Sequence, residues 1–225
     1  MIESILLFYR NNCKYSEKFK DHLKTKTNRL FTVKNELATK PKNLNKILKK
    51  NYTYIISFKS YYILPQKVID KASISAINFH SGTPKYRGVG CTNYALYDNA
   101  KTYGVTTHIM DKNIDNGKII DIKFFDVSKN DDVDSLIKKT NQVMLKRSIY
   151  IINNLSKSKN FLSKKIEDNN KIKWSKKIKG RKELDKFYEI KVSDKKSEIK
   201  KKIRATNTSK YKPYIKIKGY LFKYN

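Results

Sequence analysis

The chain has 225 residues, 39% of them apolar and 12% aromatic, which is enough to fill the core of one domain with a short appendage and excludes wholesale disorder. Its two cysteines, Cys13 and Cys91, lie too far apart in sequence to suggest a disulfide framework or a Cys-based zinc site. No apolar run approaches the roughly 18–20 residues of a membrane span, and the N-terminal apolar stretch is shorter than a signal-peptide core, so a soluble, cytoplasmic protein is expected.

The first eighty residues alternate strand and helix. Ser4–Tyr9 reads as a buried strand, Lys14–Lys24 as a helix around Phe19 and Leu23, and Leu30–Val33 as a second strand. Asn43–Lys50 follows as a short helix by its Leu44, Ile47, Leu48 spacing, then Tyr52–Phe58 as a strand. A helical turn over Val68–Ala72, after Pro65, leads to the strand Ser73–Phe79. This order predicts a parallel, doubly wound α/β sheet with right-handed crossovers. In such sheets ligands sit beyond the carboxyl ends of the strands, here Ser57-Phe58 and Asn78-Phe79-His80.

His80–Cys91 is a loop that holds Gly82, Pro84, Gly88 and Gly90. Thr92–Asn99 reads as a helix, and Gly104–Met110 and Lys118–Val127 as strands. Asp131–Leu155 is a long helix whose apolar stripe faces a core. From Ser156 the chain is dense in lysine until Tyr214–Ile217 and Tyr220–Tyr224, which predict a hairpin turned at Lys218-Gly219. A boundary is placed near residue 157, giving a core over 1–157 and a small α+β appendage over 158–225.

The chemistry concentrates around two of the three histidines. Asn78 and His80 share one face of a strand end, because side chains alternate with period two. An amide there can donate to a developing oxyanion, and an imidazole can move a proton near neutral pH. Asp115, in a turn before Gly117, can pair with such a histidine. The run Gly88-Val89-Gly90-Cys91-Thr92-Asn93 falls short of a dinucleotide fingerprint, and neither a P-loop nor a His-Glu-x-x-His metal motif occurs.

In their order and spacing three segments resemble the formyltransferases that use 10-formyltetrahydrofolate: Ala76-Ile77-Asn78-Phe79-His80 to Pro84-Lys85-Tyr86-Arg87-Gly88, Tyr103-Gly104-Val105-Thr106-Thr107-His108-Ile109-Met110-Asp111, and Ile114-Asp115-Asn116-Gly117. The resemblance implies a Rossmann-like, mostly parallel sheet and a catalytic trio of Asn78, His80 and Asp115, supported by His108. It implies 10-formyltetrahydrofolate as co-substrate, held by Ser57, Phe58, Ile63, Leu64, Pro65, Asp111 and Ile114, with no metal. Lys202-Ile203-Arg204-Ala205 and Tyr211-Lys212-Pro213 look like the short tail of sugar N-formyltransferases. The acceptor is accordingly expected to be a nucleotide-linked amino sugar, bound by Tyr86, Arg87, Gly88, Asn93, Tyr211 and Lys212.

The net charge of +31 favours two other readings, a methionyl-tRNA formyltransferase-like protein and a basic binding module that has lost catalysis. Against the first, the stretch beyond Ser156 is too short for the full C-terminal barrel of the tRNA enzymes, and 45 of the 51 cationic residues are Lys, whereas nucleic-acid readout favours Arg forks; against the second, Asn78, His80 and Asp115 are all present. A homodimer is an admissible assembly, and no membrane partner is expected.

Overall fold

The computed structural model describes residues 1–36 and 39–224. A central sheet is built from β1 (Ile2–Arg10), β2 (Thr27–Asn35), β3 (Tyr52–Phe58), β4 (Ala72–His80), β6 (Thr102–Ile109) and β7 (Ile119–Asp126), in the order β2-β1-β3-β4-β6-β7. The four strands from β2 to β4 run parallel, and β6 and β7 complete the sheet antiparallel. The mostly parallel, doubly wound sheet expected from the sequence is therefore present, and its winding reverses beside β1.

Helices α1 (Lys14–Lys24), α2 (Leu44–Leu48) and α3 (Gln66–Ile69) are the early crossovers. The helical turn expected over Val68–Ala72 starts two residues earlier, since Pro65 caps α3 in extended conformation and Ala72 already belongs to β4. Between β4 and β6 lie the two-residue strand β5 (Arg87–Gly88) and α4 (Cys91–Tyr97). The long helix α5 (Val133–Leu155) opens on Asp132, whose side chain accepts from the Ser135 N–H while the Ser135 hydroxyl accepts from the Asp132 N–H, a capping box.

Alternation along the strands sends successive residues to different cores. Ile5, Leu7 and Tyr9 of β1, Ile56 and Phe58 of β3, and Ile77 and Phe79 of β4 pack with Phe19 and Leu23 of α1 and Met144, Ile151 and Ile152 of α5. Phe19 lies between Phe58 and Phe79, with ring centroids 4.6 and 5.5 Å away. Leu6 and Phe8 of β1 and Ile55 of β3 face the other way, onto Leu44, Ile47, Val68 and Ile69. Ser57, Asn78 and His80 share this second face at the carboxyl ends of their strands, beyond the reach of α2 and α3.

The lysine-dense tail folds back on the core. It comprises α6 (Phe161–Asp168), the two-residue strand β8 (Ile178–Lys179), α7 (Arg181–Phe187), α8 (Lys196–Thr206) and the hairpin β9 (Tyr214–Ile217) with β10 (Tyr220–Lys223). Leu162 joins the first core, and Ala205 joins a third made by Ala95, Leu96, Tyr103 and Leu136. β8 pairs in parallel with β5, carrying the tail to the edge of the His80–Cys91 loop.

Candidate active site

Antiparallel register sets Asn78 of β4 opposite His108 of β6. The Asn78 amide nitrogen lies 3.1 Å from His108 Nε2, and His108 Nδ1 lies 2.8 Å from the Ile109 carbonyl. Asp115 sits in the left-handed region at φ +46°, a conformation a short polar side chain tolerates, and it folds its carboxylate back onto both rings. One oxygen is 3.4 Å from His80 Nδ1 and the other 3.5 Å from His108 Nε2. The first oxygen also accepts from the Gly88 N–H at 2.9 Å. Gly117 makes this turn possible, since a Cβ there would fall 1.9 Å from the Ile109 carbonyl oxygen.

The imidazole of His80 is buried, and both of its nitrogens face acceptors. Nε2–H donates to the Tyr86 carbonyl at 2.8 Å, while Nδ1 faces Asp115. Burial works against the charged ring, but the Asp115 carboxylate, the neighbouring Cys91 and the Tyr86 carbonyl outweigh it and push the pKa up to about 9. Burial likewise opposes the charge of Asp115, yet His80, His108 and the Gly88 N–H hold its carboxyl well below the usual range. The pair is an imidazolium–carboxylate at neutral pH.

A cleft of about 240 Å³ opens onto this cluster. Ser57, Ile63, Leu64, Asp111, Ile114 and all four of Asn78, His80, His108 and Asp115 line it. Two residues expected in the cofactor set are elsewhere. Phe58 is fully buried in the first core, because it alternates with Ser57 across the sheet, and Pro65 is the cap of α3. Ile63 and Ile114 stand 65% and 42% exposed, so large apolar side chains remain open to solvent on the cleft's lining.

A second cavity, of about 880 Å³, adjoins the first, and Lys59, Ser81 and Gly88 line both. Gly88, Asn93, Tyr211 and Lys212 line it as expected for an acceptor site. Six cationic residues surround it, Arg10, Lys59, Arg181, Lys210, Lys212 and Lys223, against the two acids Asp134 and Asp185. Tyr188 and Tyr211 meet edge to face beside it at 6.3 Å. The other two expected acceptor contacts point away. Tyr86 is buried and donates its hydroxyl to Asp98, and the Arg87 guanidinium donates to the Ser175 and Ile114 carbonyls. Arg87 is occupied in joining segments of the chain, because its fork matches two carbonyls brought together by the tail.

Sequence reasoning missed three neighbours of the cluster. Trp174 lies edge-on to both imidazoles, with centroids 5.7 Å from His80 and 5.0 Å from His108. Its signal was its being the chain's single tryptophan, in a segment otherwise poor in large apolar residues. Cys91 places its sulfur 3.8 Å from His80 Nε2 and donates toward the Tyr86 and Gly88 carbonyls. Lys59, left-handed at φ +55°, reaches Asn141, and burial lowers its pKa. Among the described residues, no group of three or more His, Cys, Asp or Glu side chains is placed to hold a metal ion. No helix of the described residues is long and apolar enough to cross a membrane.

The chain is similar to several known proteins. The bifunctional polymyxin resistance protein ArnA of Wigglesworthia glossinidia brevipalpis is 33% identical over 120 residues, covering 50% of this chain and 18% of that protein. The methionyl-tRNA formyltransferase of Caldanaerobacter subterraneus subsp. tengcongensis is 30% identical over 100 residues, covering 44% of this chain and 32% of that enzyme. The chain thus spans a third or less of the length of these curated relatives. Among solved structures, an N-formyltransferase from Helicobacter canadensis in complex with folinic acid and dTDP-3-aminofucose superposes with a TM-score of 0.69 at 19% identity, over 97% of this chain and 85% of that one. The formyl transferase family model matches residues 11–151, well over half the chain and all of the Asn78–His80–Asp115 cluster, so the protein belongs to the formyl transferase family.

Proposed function

We propose that the protein transfers a formyl group from 10-formyltetrahydrofolate to the amine of a nucleotide-linked amino sugar. The observation that carries the reading is a cleft lined by the buried His80–Asp115 pair that adjoins, through Lys59, Ser81 and Gly88, a larger cation-rich cavity. The smaller fits a flat heterocycle: Leu64 and Ile69 offer apolar walls, Ile63 and Ile114 further apolar surface, and Asp111 and Asn113 polar edges. The larger suits a small polyanion with a base, since cations outnumber acids around it and Tyr211, 50% exposed, offers a stacking face.

Formyl transfer between two nitrogens passes through a tetrahedral adduct in which the carbonyl oxygen becomes an oxyanion. Asn78 carries two amide hydrogens, at most one of them engaged by His108, so one remains for that oxygen. His80, charged at rest, stabilises the same developing negative charge. Once its Nε2–H releases the Tyr86 carbonyl, it can also give that proton to the departing nitrogen and take one back from the ammonium formed when the neutral amine adds, so the reaction consumes no net proton. Asp115 holds the ring at Nδ1 and stabilises its charge.

The methionyl-tRNA reading draws on curated relatives of that name and on the net charge. It is the weaker of the two, since a cavity ringed by six cations does not by itself supply the many phosphate contacts a tRNA makes. A thermal-shift titration tests the two-cavity reading. Folinic acid and a nucleotide amino sugar should each raise the melting temperature, and together raise it further. A Leu64→Asp variant should lose the folate response and keep the sugar response. Stabilisation by neither ligand would contradict the proposal.

A further inference from the structure

The tail passes the catalytic cluster through a run that bonds to both loops holding it. The Trp174 indole N–H donates to the Gly117 carbonyl at 2.8 Å, which ties down the turn carrying Asp115. The next residue, Ser175, donates its N–H to the Pro84 carbonyl at 2.9 Å and accepts from Arg87 at 2.7 Å. Arg87 reaches with its other nitrogen to the Ile114 carbonyl at 2.8 Å, so one guanidinium spans tail and Asp115 turn. Its Nε is buried without a partner, leaving those two carbonyls to orient the group. Three residues further, β8 pairs with β5, and Val89 N–H donates to the Lys179 carbonyl. Gly88 at φ +84° allows that approach, since a Cβ there would lie 2.2 Å from the Lys179 oxygen.

The Trp174 ring also stands between two spaces. On one side lie His80 and His108, which line the smaller cleft. On the other is a cavity of about 760 Å³, lined by Trp174 together with Ile166, Ile172, Asn116, Asn169 and Asn170. Removing the ring would strip the imidazole pair of the aromatic surface that covers it on this side.

We propose that residues 174–179 form a positioning strap, in which Trp174 and Arg87 fix the Asp115 turn against the His80 ring and keep water from the pair. The kinetic part rests on the formyl-transfer reading; the placement of Trp174 against His80 does not. A charged imidazole at this distance quenches indole emission, and its neutralisation relieves the quenching. Trp174 is the single tryptophan, so red-edge excitation isolates it from sixteen tyrosines. Emission from the wild type should rise as pH passes about 9, relative to a His80→Asn variant measured alongside to remove the contribution of tyrosine ionisation.

In Trp174→Ala, water should screen Asp115 from His80, and the inflection that His80 gives in the pH–rate profile should move down from about 9 toward 6.5. Turnover should fall on the order of ten- to a hundredfold with acceptor KM little changed, as expected of a small misplacement of reacting groups. Trp174→Phe, which keeps a ring, should recover most of the rate and the original inflection. Arg87→Lys, unable to span two carbonyls, should resemble Trp174→Ala. Emission that follows His80→Asn across this range overturns the strap whether or not any acceptor is formylated. So does a Trp174→Ala enzyme with the wild-type rate and inflection.

Discussion

Asp115 decides the character of the whole site. Two imidazoles and the Gly88 N–H give it a low pKa, and its charge in turn raises the pKa of a buried histidine to about 9. The sign follows directly for stability. His80, raised from 6.5 to about 9, contributes stability that is complete below 6.5 and disappears as pH rises through about 9. Asp115, lowered from 3.8, contributes stability that is complete above 3.8 and is lost as pH falls through its depressed pKa. Melting temperatures of the wild type and His80→Gln should therefore converge between pH 6.5 and 9. A constant gap would place the charge elsewhere. In catalysis, Asn78→Ala should cost on the order of 10²–10³ in single-turnover rate without loss of folding, as removal of an oxyanion donor does elsewhere. Asp115→Asn keeps the turn but leaves burial of His80 unopposed, so its rate should fall and its pH profile move acid. Wild-type rates in either variant would remove that residue from the mechanism.

The elements were legible in proportion to how strongly their apolar residues repeat. α1 and β3 occupy the spans the sequence indicated, because Phe19 and Leu23 give a clean helical stripe and YTYIISF is nearly all apolar. Substituting Phe19 with Ala should cost about 3–5 kcal/mol in urea denaturation, since it empties the space between two other rings. A loss below about 1 kcal/mol would mean that the core collapses onto the gap. The tail was far less readable. α6, α7 and α8 bury mainly Leu162, Leu184, and Ala205 with Thr206, against many lysines, too few apolar positions for a period to emerge. That Asn78, His80 and Asp115 come together could be read because these residues stand in ordered motifs within 38 positions of the chain, Asn78 to Asp115. Trp174, Arg87 and Ser175 meet across gaps of up to 88 residues, a relation that only the folded chain reveals. Phe58 was misassigned because a motif names neighbours, whereas the pleat of a strand sends them to opposite faces.

At the scale of the whole molecule, the lysine excess has work other than binding a polyanion. Lys14, Lys85, Lys179 and Lys210 lie over tyrosine rings, at 5.0 to 5.4 Å from the centroids, covering aromatic surface with their stems. A charge distributed in this way adds solubility and general attraction for anions without a focused track. The local cluster of cations around the large cavity is a different matter, and on the proposed function it serves a diphosphate rather than an extended backbone. The two acceptors therefore differ in salt dependence: a diphosphate engages one or two cations, whereas a tRNA releases many counterions. The most direct measurement is the initial rate of formyl transfer from 10-formyltetrahydrofolate, with a dTDP-linked amino sugar and methionyl-tRNA each offered alone at low and at moderate salt. The sugar nucleotide should be formylated at a rate that declines only gently with salt, and the tRNA should not be formylated. Formylation of the tRNA alone, falling steeply with salt, would contradict the account.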